Sequence, residues 1–229
     1  MFDDMQVIGR SESTDLATNR VLRNTYALLG LSLVPTVIGA YLGLQMDFSF
    51  IAMHPFIFGI GSLVVMFGLF KLIAVNQNSS VGVWLLLGVT FLFGLMLGPI
   101  LQHALHLRNG GQIVALAAAG TGITFLSLAG IASSPARDFS YLGKFLFIGL
   151  ILALVASLAN IFFQIPAMSL ALSGVSILIF SGYILYDVNQ IVRGGQTNYI
   201  MATLSLYLDI YNIFVNLLNI LMSLMGNRD

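Results

Sequence analysis

The sequence contains no cysteine and one tryptophan, and charged residues occupy only 8% of its 229 positions. Without cysteine there can be no disulfide bond, thiolate metal ligand or thiol nucleophile. A soluble domain normally carries about 25% charged residues. The 9 Lys+Arg and 9 Asp+Glu therefore cannot cover a water-facing surface of this size. The net charge is zero and no basic cluster occurs, so nucleic acid is not expected as a partner.

The chain is instead 58% hydrophobic, with a mean hydropathy of +0.96. This composition excludes disorder, and it is typical of a polytopic membrane protein. Seven apolar runs have the length of about 20 residues that crosses a bilayer core. The sequence therefore predicts an all-α integral membrane protein with one domain, residues 24–229, after a polar tail, residues 1–23. The predicted spans 1 to 7 are Tyr26–Leu44, Pro55–Val75, Val81–Leu105, Gln112–Ala132, Tyr141–Phe163, Met168–Gln190 and Tyr199–Leu224.

The positions of Lys and Arg predict the orientation of these spans. Seven of them lie on the amino-terminal side and two on the opposite side, which favours a cytoplasmic amino terminus and an external, periplasmic carboxyl terminus. The polar tail lacks the apolar core of a cleavable signal peptide, so span 1 is expected to be retained. The first group is Arg10, Arg20, Arg23, Lys71, Arg137, Lys144 and Arg193, and the second is Arg108 and Arg228.

Span 7 carries polar residues at intervals of four and three positions, which places them on one face of a helix. A helix with such a stripe cannot present it to lipid, so span 7 is predicted to be central. The stripe either lines a pore or forms hydrogen bonds that merely hold the bundle together. Its members are Ser205, Asp209, Asn212, Asn216, Asn219 and Ser223.

Span 6 has a stripe with the same spacing, and Asp187 continues its serine face. Gly174 and Gly182 in this span are expected to allow close approach of a neighbouring helix, as is the small-residue run at 117–120 in span 4. The span 6 stripe consists of Ser169, Ser173, Ser176, Phe180, Tyr183 and Asp187.

Asp187 and Asp209 are the only acidic residues within the predicted spans. They lie before and after the turn at 193–198, at depths that differ by on the order of 8 Å, so their carboxyl groups can face each other. Two carboxyl groups in a poorly hydrated site do not readily both ionise, and such a pair can share one proton and sense pH. The doubly ionised pair would offer the hard oxygen ligands that Ca²⁺ prefers. The alternative is structural: Asp187 lies at the interface and Asp209 caps a neighbouring donor.

The segments Tyr186-Asp187-Val188-Asn189 and residues 207–214 resemble the Bax inhibitor-1 (transmembrane Bax inhibitor motif) family. Residues 21–26, 97–101, 159–162 and 194–200 are similar to its bacterial, YccA-like branch, and the matches follow the same order along the chain. The resemblance implies seven helices, arranged as two three-helix layers around a central carboxyl-terminal helix. It also implies a bacterial inner membrane.

Two functions follow from this resemblance. Family members with a paired aspartate are pH-sensitive calcium leak channels, which would make Asp187 and Asp209 the proton sensor and gate, and a transient Ca²⁺ site. The remaining polar residues would line the pore: Ser176, Ser205, Asn212, Asn216 and Asn219. The bacterial branch is linked to FtsH, a membrane-anchored ATP-dependent protease, which favours the alternative function of a protease modulator. Neither function is enzymatic, and neither implies a cofactor.

The sequence departs from the family at one position. Calcium-leak members use an arginine of the second helix as a latch to the aspartate of the sixth helix, whereas span 2 has Lys71 as its only cation. Lys71 is therefore the candidate latch, although it lacks the planar fork of arginine. Equally, Lys71 can extend to the interface as an ordinary helix-end lysine.

A third class of function is a zinc hydrolase. His54, His103 and His106 fall on the external side together with Asp47, and such a set could bind zinc. These residues match no recognised zinc motif and are predicted to lie at the interface. Surface histidines are the ordinary interpretation.

Overall fold

The computed structural model describes residues 2–49 and 53–226, apart from the side chains of residues 2–17 and 55. Arg228, one of the two basic residues assigned to the external side, lies outside this part. The described residues contain helices and no strand. The helices are α1 (Phe2–Gly43), α2 (Pro55–Val75), α3 (Ser80–Met96), α4 (Gly98–His106), α5 (Gly110–Ala132), α6 (Leu142–Phe163), α7 (Pro166–Val192) and α8 (Tyr199–Met225).

Seven segments of the described chain are long and apolar enough to cross a membrane, as the sequence predicted. The first is Thr18–Gly43, which includes the last six residues of the polar tail because α1 continues through it without a break. The third is Ser80–His106, which α3 and α4 form together. Large apolar side chains on the outside of the bundle are exposed, for example Val37 at 67% and Leu178 at 73%. The chain is therefore an integral membrane protein whose outer surface suits lipid.

Span 3 differs from its prediction because it is not one continuous helix. Helix α3 ends at Met96 and α4 begins at Gly98, with Pro99 in its first turn. Proline has no backbone N–H and its ring clashes with the preceding turn, so a helix is interrupted there. The amide of Leu97 still donates to the carbonyl oxygens of Phe93 and Gly94, which keeps the two helices joined.

The last helix is central, as its polar stripe predicted. Helix α8 packs against α1, α5 and α7, and it also contacts α3 and α4. On one side of it α1 and α2 pack on α3, and on the other α5 and α6 pack on α7. This arrangement agrees with two three-helix groups around a central helix, with α2 and α6 as the outer members.

Glycines set the distance between α1 and α3. A Cβ atom at Gly39 would collide with the carbonyl oxygen of Phe91, and one at Gly94 would collide with that of Thr36. Only glycine fits at these two positions. In α7, the expectation is confirmed for Gly182, where a Cβ would lie 2.6 Å from Leu146, and is wrong for Gly174, where it would meet nothing within 4 Å. The surface of α7 around Gly174 is therefore not in close contact with a neighbouring helix.

Candidate functional site: a carboxyl pair between two polar cavities

The packing of α7 on α8 brings Asp187 and Asp209 into direct contact. Their carboxyl groups are close enough to interact directly, and the Ser205 side chain lies next to Asp187. Asp209 is only 4% exposed, whereas Asp187 is half-buried. An ionised carboxylate can only accept, so a hydrogen bond between two carboxyl groups needs a proton on one of them. The two carboxyl groups can therefore bind each other only if the pair holds a proton.

One oxygen of the pair has no hydrogen-bond partner among the described residues. It is Oδ2 of Asp209, which is buried. Buried polar atoms almost always have a partner, so an orphan acceptor of this kind needs an explanation. It can accept from water or coordinate a cation.

A small polar cavity of about 150 Å³ adjoins Asp187 on the side of the turn at 193–198. Ser205 lines it, as expected for a residue of the polar stripe. Gln190 and Gln196 add amide groups to its wall. Because Asp187 borders this cavity and Asp209 does not, water can approach the pair from the amino-terminal side through Asp187.

A larger polar cavity of about 690 Å³ lies between α6, α7 and α8, towards the opposite side of the bundle. Three of the predicted pore-lining residues, Ser176, Asn216 and Asn219, form part of its wall. Helix α6 contributes Ser157 and Asn160, and Gln164 follows directly after it. The described residues that line it include no charged side chain.

Asn212 lines neither cavity. Its side-chain amide donates to the carbonyl oxygen of Leu208 at 2.8 Å, and that of Asn216 donates to the carbonyl oxygen of Asn212 at 2.8 Å. Both bonds stay within α8, so these amides do not join α8 to its neighbours.

Two aromatic residues of α7 separate the cavities. Ser176 and Asp187 are eleven positions apart in α7, or about 16 Å along the helix axis. Phe180 and Tyr183 lie between them, with ring centroids 6.3 Å apart. Phe180 also packs against the buried apolar cluster that includes Ile184 and Ile213. The pair and the larger cavity are therefore not connected.

The loop after α5 is fixed beside the pair by Asn189, two positions after Asp187. The Asn189 amide donates to the carbonyl oxygen of Arg137 at 2.9 Å, and its Oδ1 accepts from the amide of Phe139 at 3.0 Å. Asp138, between these two residues, forms an ion pair with Arg193 at 3.3 Å. This end of α7 is thus held to the loop at 133–141.

Residues of the same loop determine the pKa of Asp138. The backbone amide and hydroxyl of Ser140 donate to its carboxylate, which lowers its pKa below the ordinary value, and the charge of Arg193 acts in the same direction. Asp138 is exposed, so this interaction is well solvated.

Asn198 joins the loop between α2 and α3 to the start of α8. Its Oδ1 accepts from the amides of Ile200 and Met201, which caps α8. Its side-chain nitrogen donates to the carbonyl oxygen of Gln77 at 2.8 Å and to Oδ1 of Asn78 at 3.0 Å.

Lys71, the candidate latch, is exposed on α2. The side chains that act on the Asp187 carboxyl group are those of Ser205 and Asp209. Helix α7 packs mainly on α8, α6 and α5, whereas α2 packs on α3. In this conformation the place of a latch next to Asp187 is taken by Asp209 and Ser205.

The histidines do not form a metal site within residues 2–49 and 53–226. No group of three His, Asp or Glu side chains converges there as a metal ion would require. The His106 ring nitrogen Nδ1 lies 2.6 Å from the carbonyl oxygen of Gln102, one turn earlier in the same helix. The zinc hydrolase interpretation thus lacks a site in this part of the chain.

Several residues that border the two cavities were not predicted. Ser157, Asn160 and Gln164, in α6 and at its end, are three and four positions apart, the same spacing that revealed the stripes of spans 6 and 7. That pattern was available in the sequence. Gln190 and Gln196 gave no comparable signal because the turn at 193–198 brings them together only in the folded chain.

Comparison with known proteins extends the similarity over the whole bundle. Residues 18–227 match the family described as "Inhibitor of apoptosis-promoting Bax1". A protein of Escherichia coli K12, "Modulator of FtsH protease YccA", is 42% identical over 206 residues, which cover 90% of this chain and 91% of that relative. A protein of Escherichia coli O6:H1, "Inner membrane protein YccA", has the same identity and coverage. A membrane protein of Vibrio cholerae is 42% identical over 214 residues, 93% of each chain.

Proposed function

Because the chain belongs to the Bax inhibitor family, we propose that it is a pH-sensitive cation leak channel that conducts Ca²⁺ and is gated by Asp187 and Asp209. It would act as a transport protein rather than as an enzyme, with Ca²⁺ as the permeant ion and no cofactor of its own. The pair would be both the proton sensor and a transient Ca²⁺ site.

The observation that carries this proposal is the direct contact of two carboxyl groups beside the small polar cavity, with the larger polar cavity further along α7 and α8. Intramembrane carboxyl groups are rare and generally functional. The buried, unpartnered Oδ2 of Asp209 adds a free oxygen ligand next to the small cavity. A purely structural pair would be expected to satisfy both oxygens of its buried member.

The gating step follows from charge repulsion. While one proton is shared, the two carboxyl groups attract each other and hold α7 to α8. When the pH rises and that proton leaves, two negative charges face each other in a medium of low dielectric, where their repulsion is strong. The ends of α7 and α8 would separate there, and the small cavity would join the larger one past Phe180 and Tyr183.

Beyond the carboxyl pair, the ion would pass along neutral side-chain oxygen atoms. Ser176, Asn216 and Asn219 line the larger cavity and would replace part of the hydration shell of the ion. Asn212, one turn from Asp209, would become part of the route only after the helices separate. Lys71 would act on the open state, since Asp187 is engaged by Asp209 while the pair shares its proton.

Ca²⁺ entry into dye-loaded proteoliposomes tests this function at pH 6 and pH 8. The wild-type protein is expected to conduct faster at pH 8, and Asp209→Asn and Asp187→Asn are expected to lose that pH dependence. Asp47→Asn, on an exposed loop at the far side of the bundle, is the matched control and should behave as wild type. Flux no higher than in empty liposomes at either pH, or unaltered pH dependence in both variants, would refute the proposal.

Modulation of a membrane protease is the second candidate, and the name of the Escherichia coli relative favours it. FtsH would be the partner, and α1, which continues from Thr18 back to Phe2, would supply the contact. Deletion of residues 1–19 should then abolish modulation of substrate degradation by FtsH while ion flux is unchanged. If the deletion leaves degradation unchanged, this candidate fails.

The location that fits both candidates is the bacterial inner membrane, in line with the name of the second Escherichia coli relative. The excess of Lys and Arg on the amino-terminal side favours a cytoplasmic location for that side and a periplasmic one for the carboxyl terminus. Since the chain has no cysteine, single cysteines introduced at positions 11 and 109 would report the orientation without background labelling. Labelling of position 11 from the periplasm would contradict it.

A further inference from the structure

An apolar groove of about 860 Å³ runs between α1 and α5, with α8 as its floor. It plays no part in the proposed function. Val37 and Leu126 on its walls are 67% and 70% exposed, so the groove opens to the membrane. We call it the α1–α5 groove and define it by Tyr26, Gly30 and Val37 on α1 and Gly122, Leu126 and Ser133 on α5.

The groove has an available polar group at its amino-terminal end. The Tyr26 hydroxyl is buried and, although it lies near the Ser133 hydroxyl, it has no well-formed hydrogen bond to any described residue. Four other hydroxyls of the lining are already engaged, and that of Ser133 donates to the carbonyl oxygen of Ala129 at 2.7 Å. Thr36 and Tyr207 bind each other at 2.9 Å, and Thr121 donates to the carbonyl oxygen of Ala117 at 2.7 Å. The groove is therefore apolar along its length with an unused hydroxyl at its amino-terminal end.

Two arginines flank that end. Arg23 precedes Tyr26 by three positions, so the two lie on the same face of α1. Arg137 follows Ser133 by four positions, and its backbone is held in place by the bond from Asn189. Both arginines are exposed. The neighbouring acidic residue, Asp138, is paired with Arg193. Exposed positive charge therefore lies within four positions of two residues at this end of the groove.

We propose that the α1–α5 groove binds one anionic phospholipid from the leaflet on the amino-terminal side. Arg23 and Arg137 would bind its phosphate group, the Tyr26 hydroxyl would donate to a headgroup or ester oxygen, and an acyl chain would fill the groove. Arginine is suited to phosphate because its fork donates two hydrogen bonds. Basic pockets between membrane helices on this side of a bilayer characteristically bind anionic headgroups.

The dimensions agree with an acyl chain. The wall formed by α1 runs from Tyr26 to Ala40, about 21 Å at the rise of an α-helix. Half of a bilayer core is about 15 Å thick, so a chain that enters at Tyr26 stays within the groove to its end. A Cβ atom added at Gly30 or Gly122 would meet nothing within 4 Å, which leaves room for that chain.

Native mass spectrometry of the purified full-length protein tests the proposal with phosphatidylglycerol and, for comparison, phosphatidylcholine with the same acyl chains. The wild-type protein is expected to retain one phosphatidylglycerol in preference to phosphatidylcholine. The double variant Arg23→Gln/Arg137→Gln should lose affinity by roughly fivefold for each arginine. Gly122→Leu, which fills the groove, should prevent retention of the lipid.

Matched control variants distinguish binding at this site from nonspecific binding of lipid to the protein. Arg20→Gln/Lys144→Gln removes two charges on the same side, and Gly88→Leu adds the same side chain to an exposed glycine of α3 that has free space around it. Both should bind phosphatidylglycerol as wild type does. Tyr26→Phe, the mildest change, should weaken binding without loss of folding.

The outcomes that overturn the proposal are distinct. Equal retention of the two lipids by the wild-type protein would exclude a preference for an anionic headgroup. Equal losses in the arginine double variant and its control would show nonspecific attraction. Unchanged retention in Gly122→Leu would place the lipid elsewhere and leave the groove to another occupant, such as a helix of a partner protein.

Discussion

The Tyr207 hydroxyl of the last helix lies 2.9 Å from the Thr36 hydroxyl of the first, 171 positions earlier in the chain. It also lies 3.3 Å from the carbonyl oxygen of Thr90 in α3. Tyr207 is 1% exposed. One buried side chain thus joins three helices, next to the glycine contacts that set the spacing of α1 and α3.

Tyr207→Phe should therefore destabilise the bundle by about 1 kcal/mol, since a hydrogen bond within a membrane protein contributes on the order of 0.6–2 kcal/mol. Unfolding by sodium dodecyl sulfate in mixed micelles measures the free energy. Tyr41→Phe, on an exposed side chain of α1, is the control and should have no effect. Equal stability of Tyr207→Phe and wild type would show that the bond contributes nothing.

Gly94→Ala should destabilise the protein more strongly. The new Cβ would collide with the backbone of α1 at Thr36, and overpacking of this kind typically costs about 1–3 kcal/mol. Gly88→Ala in the same helix has free space at its Cβ, so it should be neutral or slightly stabilising. Comparable melting temperatures for the two variants would contradict the close approach of α1 and α3.

Phe180→Ala should raise Ca²⁺ flux at pH 6 severalfold, because it removes one of the two rings that separate the polar cavities. Leu178→Ala, two positions away on the lipid-facing side of α7, should leave flux unchanged. Proteoliposomes loaded with dye measure both variants. If flux in Phe180→Ala stays at the wild-type level, the barrier lies elsewhere.

The Asp138 interaction should depend on pH in a defined direction. Its folded pKa is lowered, chiefly by the two hydrogen bonds from Ser140, so its stabilising effect is complete above the unfolded pKa of about 3.9 and is lost as the pH falls through the lower folded value. The difference in melting temperature between wild type and Asp138→Asn should be small and constant from pH 5 to pH 7. Below about pH 3.9 it should shrink. A difference that is as large at pH 2.5 as at pH 7 would contradict this assignment.

The sequence predicted six of the spans to within a few residues because long apolar runs leave few alternatives, whereas the first span begins eight residues earlier than predicted. It also predicted the contact between Asp187 and Asp209, since both lie on faces that continue a polar stripe and flank the same turn. The break at Pro99 was not predicted, although the rule for proline within a helix applies there. Hydropathy stays high across Leu97, Gly98 and Pro99, so it does not reveal the break.

The rest depends on tertiary packing. Gly174 and Gly182 look equivalent in the sequence, yet only Gly182 faces a neighbouring helix closely. The α1–α5 groove is formed by helices that are far apart in the sequence. No local sequence pattern therefore predicts it. The roles of the site residues in conduction, including that of Lys71, stay predictions.

The central position of α8 has a consequence for biosynthesis. The ribosome makes this helix after the six other spans, so those spans enter the bilayer before the helix at their centre exists. Until α8 arrives, Asp187 has no carboxyl partner, and α1 and α3 lack Tyr207. The bundle therefore cannot assemble fully until residues 199–225 have been made, and a nascent chain that stops short of residue 199 would present exposed polar groups to membrane quality control.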